Sequence, residues 1–273
     1  MKSKYLIGII IAIVVIIGAY FALAGSSNEQ TIQIAGSTSV QPVAEKLAQA
    51  YMQEHPGVKI NVQGGGTSVG ITSAQQGTAQ IGTASSKPSA SDSQGLVQTQ
   101  IAKDGIVVIV NNANKISSLT VNQTKDIFSG NVTDWSKEGG SAGAISVITR
   151  EDGSGTRDGF QNIVMGGKNG TPILKTAIVQ SSTEAILQAV KGDPNAVGYI
   201  SLASLTGDVK AVTINGVAPS EKTVSDGTYK IVRPFIFLTK GEPTGIVKDF
   251  IDFTMSTEGQ NIIKQAGAVP MNS

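Results

Sequence analysis

The chain has no cysteine, one histidine and one tryptophan among its 273 residues. Without cysteine there is no disulfide framework and no lipid-modified cysteine anchor, so an exported part must rely on its own core. One histidine and no thiol leave a transition metal short of its usual ligands, and no metal site is expected. Charge of one sign is also missing. The chain carries 21 Lys and Arg against 20 Asp and Glu, which excludes the basic stripe that nucleic acid requires. The same balance excludes a sweeping attraction for anions, so an anion site has to be local. No G-x-x-x-x-G-K-[ST] run is present, which removes the P-loop. Gly66-Thr67-Ser68-Val69-Gly70 does spell G-x-S-x-G, the nucleophile-elbow pattern, but that chemistry places its histidine after the serine. The one histidine, His55, comes before it, beside Pro56. No catalytic residue emerges, the chain does not read as an enzyme, and no cofactor is expected.

What is present begins with a long apolar run. Tyr5–Ala24 is twenty residues without a charge. As a helix it would span roughly 30 Å, one hydrocarbon core. Lys2 and Lys4 precede it and no basic residue follows closely, which favours an inside N-terminus and an exported C-terminus. The run is longer than the usual apolar core of a signal peptide. It favours a retained transmembrane anchor on the extracytoplasmic face, with residues 1–4 cytoplasmic. Ala22-Leu23-Ala24 would also suit cleavage after Ala24, giving a secreted or periplasmic protein. Both readings export residues 25–273, of which 25–30 form a polar linker. Asn122, Asn131 and Asn169 each begin an N-x-[ST] sequon.

The exported part alternates two kinds of segment. "TIQIAG", "VKINVQ", "IGTAS", "GIVVIVN", "ISVITR", "AVGYISL" and "RPFIFLTK" read as strands. Between the first two, Val40, Val43, Leu47 and Tyr51 recur at helical spacing until Pro56-Gly57 stops the pattern. Further helices are predicted in "ITSAQQGTAQ", "TVNQTKDIFSG", "TRDGFQNIVMG" and "TEAILQAVKGD", with two more in "TGIVKDFIDFTMSTEGQNIIKQAGA". Such alternation predicts an α/β protein. "GIVVIVN" is a continuous apolar run of the kind buried on both faces. If the chain crosses between two lobes there and returns at "RPFIFLTK", lobe I is 31–107 with 233–273, and lobe II is 110–230.

Three segments share one layout, a strand followed by Gly, Ser and Thr and then a helix. They are Ala35-Gly36-Ser37-Thr38-Ser39, Gly64-Gly65-Gly66-Thr67-Ser68 and Asp152-Gly153-Ser154-Gly155-Thr156. Helix starts expose unpaired N–H groups and the positive end of the dipole, and bind anions readily. Ser and Thr at such places are also ordinary N-caps, so one segment alone decides nothing. Three together, with Arg150 ending the strand before one of them, point to an anion. Ligands of open α/β sheets bind at the carboxyl ends of strands, where these segments lie.

These segments resemble the phosphate-binding proteins of phosphate ABC importers. "IAGSTSVQPVAEKLAQAY", "VQGGGTSVG", "REDGSGTRDGF", "IFSGNVTDW", "AVGYISL", "RPFIFLTKG" and "STEGQNIIKQAGAVP" are similar to that family's landmarks and occur in its order. The resemblance covers nearly all of residues 32–270. It implies a two-lobed periplasmic-binding-protein-like (type II) fold after the N-terminal helix, inorganic phosphate as ligand, a membrane permease as partner, and a monomer. Position by position it implies that Thr38 and Ser39 meet phosphate at one helix start and Thr67 at the second, with Ser68 in reserve. Arg150 would give the charge-assisted contact, and Ser154, Gly155 and Thr156 would donate from the third helix start. Asp152 would orient Arg150. Arg157, one turn into the helix, is expected to face solvent or the lobe surface. Ser85 would complete the site. Some members of the family carry aspartate at that position to accept phosphate's proton, and others carry serine followed by arginine, where this chain has Ser86. Neither an acceptor carboxylate nor a second arginine therefore comes from this segment. Asp158 is the nearby carboxylate that could help. The rival readings are a receptor for molybdate, tungstate or sulfate, and an anchored adhesion protein of the same fold.

Overall fold

A computed structural model describes residues 30–271, so the apolar run Tyr5–Ala24 lies outside the described residues. The chain opens with β1 (Gln30–Gly36), α1 (Gln41–Glu54), β2 (Val58–Gly64), α2 (Thr67–Gln76) and β3 (Ile81–Ala84). The long β4 (Leu96–Asn111) is followed by β5 (Ser118–Leu119), α3 (Val121–Ser129), β6 (Ser146–Arg150) and α4 (Gly155–Ile163). Next come β7 (Ile178–Gln180), α5 (Thr183–Gly192) and β8 (Ala196–Ser201). Short strands β9 (Val209–Ala211) and β10 (Thr213–Ile214) and the short α6 (Glu221–Ser225) lead to β11 (Val232–Lys240). Helices α7 (Gly245–Met255) and α8 (Thr257–Gln265) and the two-residue β12 (Val269–Pro270) complete the described part.

Local chemistry explains the helices. In α1, Val43, Ala44, Leu47, Ala48 and Tyr51 are buried, one apolar stripe at i, i+4 spacing, and Pro42 sits in the first turn where its missing N–H costs nothing. A capping box of Thr120 and Gln123 starts α3, and Ser182 caps α5. His55 ends α1, where its ring stacks on Tyr51 with centroids 3.9 Å apart. Ser68 lies at the start of α2, so the seven-residue β2 separates the two residues by roughly 20 Å. The G-x-S-x-G run therefore has no histidine beside its serine.

The main sheet runs β2-β1-β3-β11-β4-β8-β6-β7. Strands β1, β2 and β3 pair in parallel, as do β8, β6 and β7, while β11 and β4 are antiparallel to their neighbours. β4 changes partner along its length. Leu96 to Gly105 pair with β11, and Ile106 to Val110 pair with β8. The cores divide at the same place. Ile32, Ile34, Leu47, Phe235, Phe237 and Phe250 fill one, and Val108, Phe128, Trp135, Phe160 and Tyr199 fill the other. In the second, Phe160 stacks flat on Tyr199 with centroids 4.2 Å apart. Truncating such a ring costs about 3–5 kcal/mol, so the rings hold α4 firmly on the sheet. The carboxyl ends of β1, β2 and β3 face those of β6 and β7 across the boundary, which sets the place for a ligand.

The sequence reading captured only the second part of β4, "GIVVIVN"; the strand starts nine residues earlier, at Leu96. Asn122, Asn131 and Asn169 are all exposed. Among the described residues no helix is long and apolar enough to cross a membrane.

Candidate anion site

The site is built from strand ends. After β1 the chain turns on Ser37, whose carbonyl accepts from Val40 N at 3.1 Å and Gln41 N at 3.0 Å. Ser37 Oγ accepts from Ser39 N at 3.2 Å and Val40 N at 3.4 Å. This turn seals Ser39 from solvent while Thr38 stays partly exposed. At the second junction Thr67 opens α2, buried, and its Oγ1 accepts from Ser85 N at 3.1 Å. At the third, Gly153 takes φ +87°, a turn that side chains resist. It lets Ser154 cap α4 by accepting from Arg157 N at 3.4 Å. Gly155 begins that helix pressed against the opposite side of the cleft. A Cβ built on it would lie 2.4 Å from Thr67 Oγ1 and 2.7 Å from Ser85 Oγ.

Hydroxyls from both sides meet between two guanidinium groups. Arg150 Nη1 donates to Thr183 Oγ1 at 3.3 Å. Thr183 Oγ1 is 3.1 Å from Ser39 Oγ, which is 2.9 Å from Thr156 Oγ1. Arg233 Nη1 donates to Thr156 Oγ1 at 2.6 Å and to Ser85 Oγ at 3.1 Å. Thr38 joins from the side, its Oγ1 accepting from Thr183 N at 3.3 Å. Ser37 Oγ donates to Ser85 Oγ at 2.9 Å. One hydrogen-bonded chain thus runs Arg150, Thr183, Ser39, Thr156, Arg233. Every side chain in it is buried.

Each arginine keeps a carboxylate on its outer side. Arg150 Nε and Nη2 donate to the two oxygens of Glu151, both at 2.8 Å. Arg233 Nε donates to Asp104 Oδ2 at 3.0 Å, with Nη2 2.9 Å from the same oxygen but poorly aligned for a hydrogen bond. Asp104 Oδ1 accepts from Ser201 Oγ at 2.8 Å and Ala203 N at 3.3 Å. Burial pushes the Asp104 carboxyl up and the Arg233 guanidinium down, and each partner's charge acts against its neighbour's shift. Behind the site the Tyr199 phenol is pushed up to about 12 by burial; its oxygen is 2.6 Å from Thr149 Oγ1.

Most expected residues come together: Thr38, Ser39, Thr67, Ser85, Arg150, Gly155 and Thr156 border one hydroxyl cluster. Ser154 is buried beside it as the cap of α4. Ser68 is not in the cluster; its N–H donates across the cleft to Gly153 O at 3.1 Å. Asp152 is a correction. It pairs with Arg157 at 2.8 Å and its side chain is 96% exposed, so Glu151 is the carboxylate that orients Arg150. The reason is local. Glu151 is still extended, donating its N–H to Gln180 O at 3.2 Å, and its longer side chain turns back along Arg150. Asp152 is already in the turn to α4. Arg157 is tied rather than free, with Nη1 donating to Arg150 O at 2.9 Å. Asp158 is exposed, and Ser86 Oγ donates to its Oδ2 at 3.5 Å.

Four participants were missed: Glu151, Thr183, Arg233 and Asp104. Thr183 opens the helix predicted in "TEAILQAVKGD", a start without glycine. Asp104 and Arg233 did leave a signal, an acidic and a basic residue at the start of the apolar runs "GIVVIV" and "PFIFL", although Lys103 stands beside Asp104. Buried charges demand partners, and these two strands are neighbours.

Residues 23–258 match the PBP superfamily domain. The phosphate-binding protein PstS of Bacillus subtilis is 30% identical over 288 aligned positions, covering 99% of this chain and 95% of that protein. The chain belongs to the PstS family of phosphate-binding proteins. Among solved structures, a Clostridium perfringens protein described as a phosphate ABC transporter substrate-binding protein, with bound phosphate, is 39% identical. It has a TM-score of 0.85 and covers 89% of this chain and 100% of its own. An ABC-type phosphate transport receptor from Vibrio cholerae is 33% identical, with a TM-score of 0.71, covering 87% and 99%.

Proposed function

We propose that the chain captures inorganic phosphate between its two halves and delivers it to the permease of an ABC importer. The observation that carries this reading is the hydroxyl chain between Arg150 and Arg233. Two like charges approach one buried cluster of donors, an arrangement that an anion relieves. Arginine suits the task because its planar fork binds phosphate oxygens in pairs and stays charged. The bound phosphate of the Clostridium perfringens relative and the names of the family members support the same ligand.

Thr38, Ser39, Thr67, Ser85, Arg150, Ser154, Gly155 and Thr156 supply the contacts in this reading, and Thr183 and Arg233 complete them. The lobes are 31–107 with 233–273, and 110–230, a division supported by the partner change of β4 between Gly105 and Ile106. Donors from both lobes close on the ligand. The protein acts as a non-catalytic monomer, held by Tyr5–Ala24 at the extracytoplasmic face of the membrane. N-terminal analysis of native protein tests the anchor, and a mature chain starting at Gly25 would replace it with a signal peptide.

Calorimetry of the full-length protein against phosphate, sulfate, molybdate and tungstate tests the ligand. Phosphate is expected to bind most tightly at pH 7. Equal affinity for sulfate would replace the phosphate reading with a general oxyanion receptor.

A further inference from the structure

We propose that Thr183 is a specificity-determining residue: with Thr38 it closes the anion site off from an adjoining cavity, and this wall restricts the ligand to free phosphate by excluding phosphate monoesters. The inference rests on the phosphate reading above and adds what limits the ligand's size and which residue sets that limit.

The wall is one side chain thick. A cavity of about 450 Å³ lies outside the hydroxyl cluster, between the first turns of α1 and α5 and the segment that follows β8. Of the residues that form the cluster, Thr38 and Thr183 are the two that also line this cavity. They come from opposite sides of the cleft and meet there. Thr183 N donates to Thr38 Oγ1 at 3.3 Å, and the two Oγ1 atoms are 3.3 Å apart. Thr183 Oγ1 is also 3.1 Å from Ser39 Oγ and accepts from Arg150 Nη1 at 3.3 Å. Its side chain therefore has the cluster on one face and the cavity on the other. Elsewhere the cluster is bounded more firmly. Gly155 is pressed against Thr67 and Ser85, and each arginine is backed by its carboxylate.

The cavity suits what a monoester carries beyond its phosphate. Pro42, Leu187 and Leu205 give it an apolar wall, and Ser204 and Thr206 bring hydroxyls. Ser204 Oγ is buried without a hydrogen-bond partner. Glu45 and Glu184 line the same space and repel a second anionic group. A neutral polyol such as glycerol matches this lining. To reach it from a phosphate held by Arg150, an ester oxygen and its carbon must pass between Thr38 and Thr183. The contacts between the two threonines fill that gap, and a carbon forced into a packed site displaces its neighbours at a cost. Free phosphate ends inside the cluster and needs no gap.

The test is calorimetry of the full-length protein against inorganic phosphate, methyl phosphate and glycerol 3-phosphate at one pH. The wild type should prefer phosphate to either ester by at least about a hundredfold, the upper range of what one extra carbon costs in a shaped site. Thr183→Ala opens the wall but keeps Ser182, the cap of α5, so the fold should hold. It removes an acceptor of Arg150 and should weaken phosphate binding. The ratio of phosphate to ester affinity should nevertheless narrow at least about tenfold. Thr183→Ser restores the hydroxyl and should regain most of the discrimination. Thr38→Ala opens the wall from the other side and should narrow the ratio in the same way, which keeps the test readable if Thr183→Ala does not fold. An unchanged ratio in either alanine variant that still binds phosphate would overturn the proposal. So would a wild type that binds methyl phosphate within about tenfold of phosphate. Loss of all three ligands in both alanine variants would make the threonines general contacts rather than a filter, and would overturn it too. Failure of the phosphate reading is a separate result: no phosphate binding by the wild type.

Discussion

Glu151 grips Arg150 through both carboxylate oxygens at 2.8 Å, from the very next position in the chain. Successive side chains of a strand point to opposite faces, and here the pairing is possible because Glu151 lies just past the end of β6. The grip leaves one Arg150 nitrogen, Nη1, for the hydroxyl cluster. Arg150 is thereby aimed and its charge is balanced before any ligand arrives.

Arg150→Ala is therefore expected to cost roughly 2–5 kcal/mol of binding, the usual loss on truncating one partner of a buried charge pair. At about 1.4 kcal/mol per decade this is on the order of 30- to several-thousand-fold in phosphate affinity. Glu151→Gln should weaken binding by a smaller factor by loosening the guanidinium. Asp152→Asn should change affinity little, since its partner Arg157 keeps the Arg150 carbonyl. Calorimetry on the three variants checks the order, and equal losses at Glu151 and Asp152 would mean that neither carboxylate aims the arginine.

Gly155→Ala separates binding from folding. Alanine favours a helix over glycine by roughly 1 kcal/mol, so α4 itself should not suffer. The added methyl would meet Thr67 Oγ1 at 2.4 Å and Ser85 Oγ at 2.7 Å, both from the opposite side of the cleft. The two sides could then not close fully. Melting temperature should hold or rise slightly while phosphate binding drops at least about tenfold. A variant that binds normally would show that the cleft closes without this contact.

Much of this site could be read before the fold was known, because helix starts rich in Gly, Ser and Thr expose donors wherever they occur. Thr67 and Thr156 were legible for that reason. Thr183 was not, since "SSTEAIL" carries no glycine and a cap looks the same with or without a ligand. The first part of β4 was hidden because "LVQTQIAKD" neither alternates residue by residue nor forms a continuous apolar run. Glu151 and Asp152 are adjacent carboxylates, and only the backbone direction after Arg150 tells which one turns inward. Arg233 and Asp104 were each visible as an odd charge in a strand. Their meeting depends on the antiparallel register of β4 and β11, which pairs the two positions directly.

Acid should weaken the fold through capping carboxylates. Asp134 accepts from Ser136 Oγ at 2.6 Å, Ser136 N at 2.9 Å and Gly143 N at 3.2 Å, and these bonds hold its carboxyl below the usual range. Asp226 is lowered in the same way by Thr228. A carboxyl lowered by folding contributes stability above its unfolded value, and that contribution is lost as pH falls through the folded one. The double variant Asp134→Asn, Asp226→Asn should be less stable at pH 7. Its melting temperature should also fall less than the wild type's between about pH 5 and 3. Parallel curves would place the acid sensitivity elsewhere.

The buried pair of Asp104 and Arg233 predicts an asymmetry in stability. Removing one partner leaves an unpaired buried charge, which costs about 3–5 kcal/mol, whereas replacing both by apolar groups of similar size is often neutral. Asp104→Leu alone strands Arg233 between Ser85, Thr156 and an apolar side chain, and should lower the denaturation midpoint sharply. Asp104→Leu with Arg233→Met should recover most of the loss, because the surrounding positions of β4 and β11 are already apolar. The recovered protein should still bind phosphate poorly, since Arg233 Nη1 no longer reaches the hydroxyl cluster. Stability returning without binding would identify the pair as retained for the ligand. Binding returning with stability would make it a packing device, and Arg150 would then be the one cation that the anion needs.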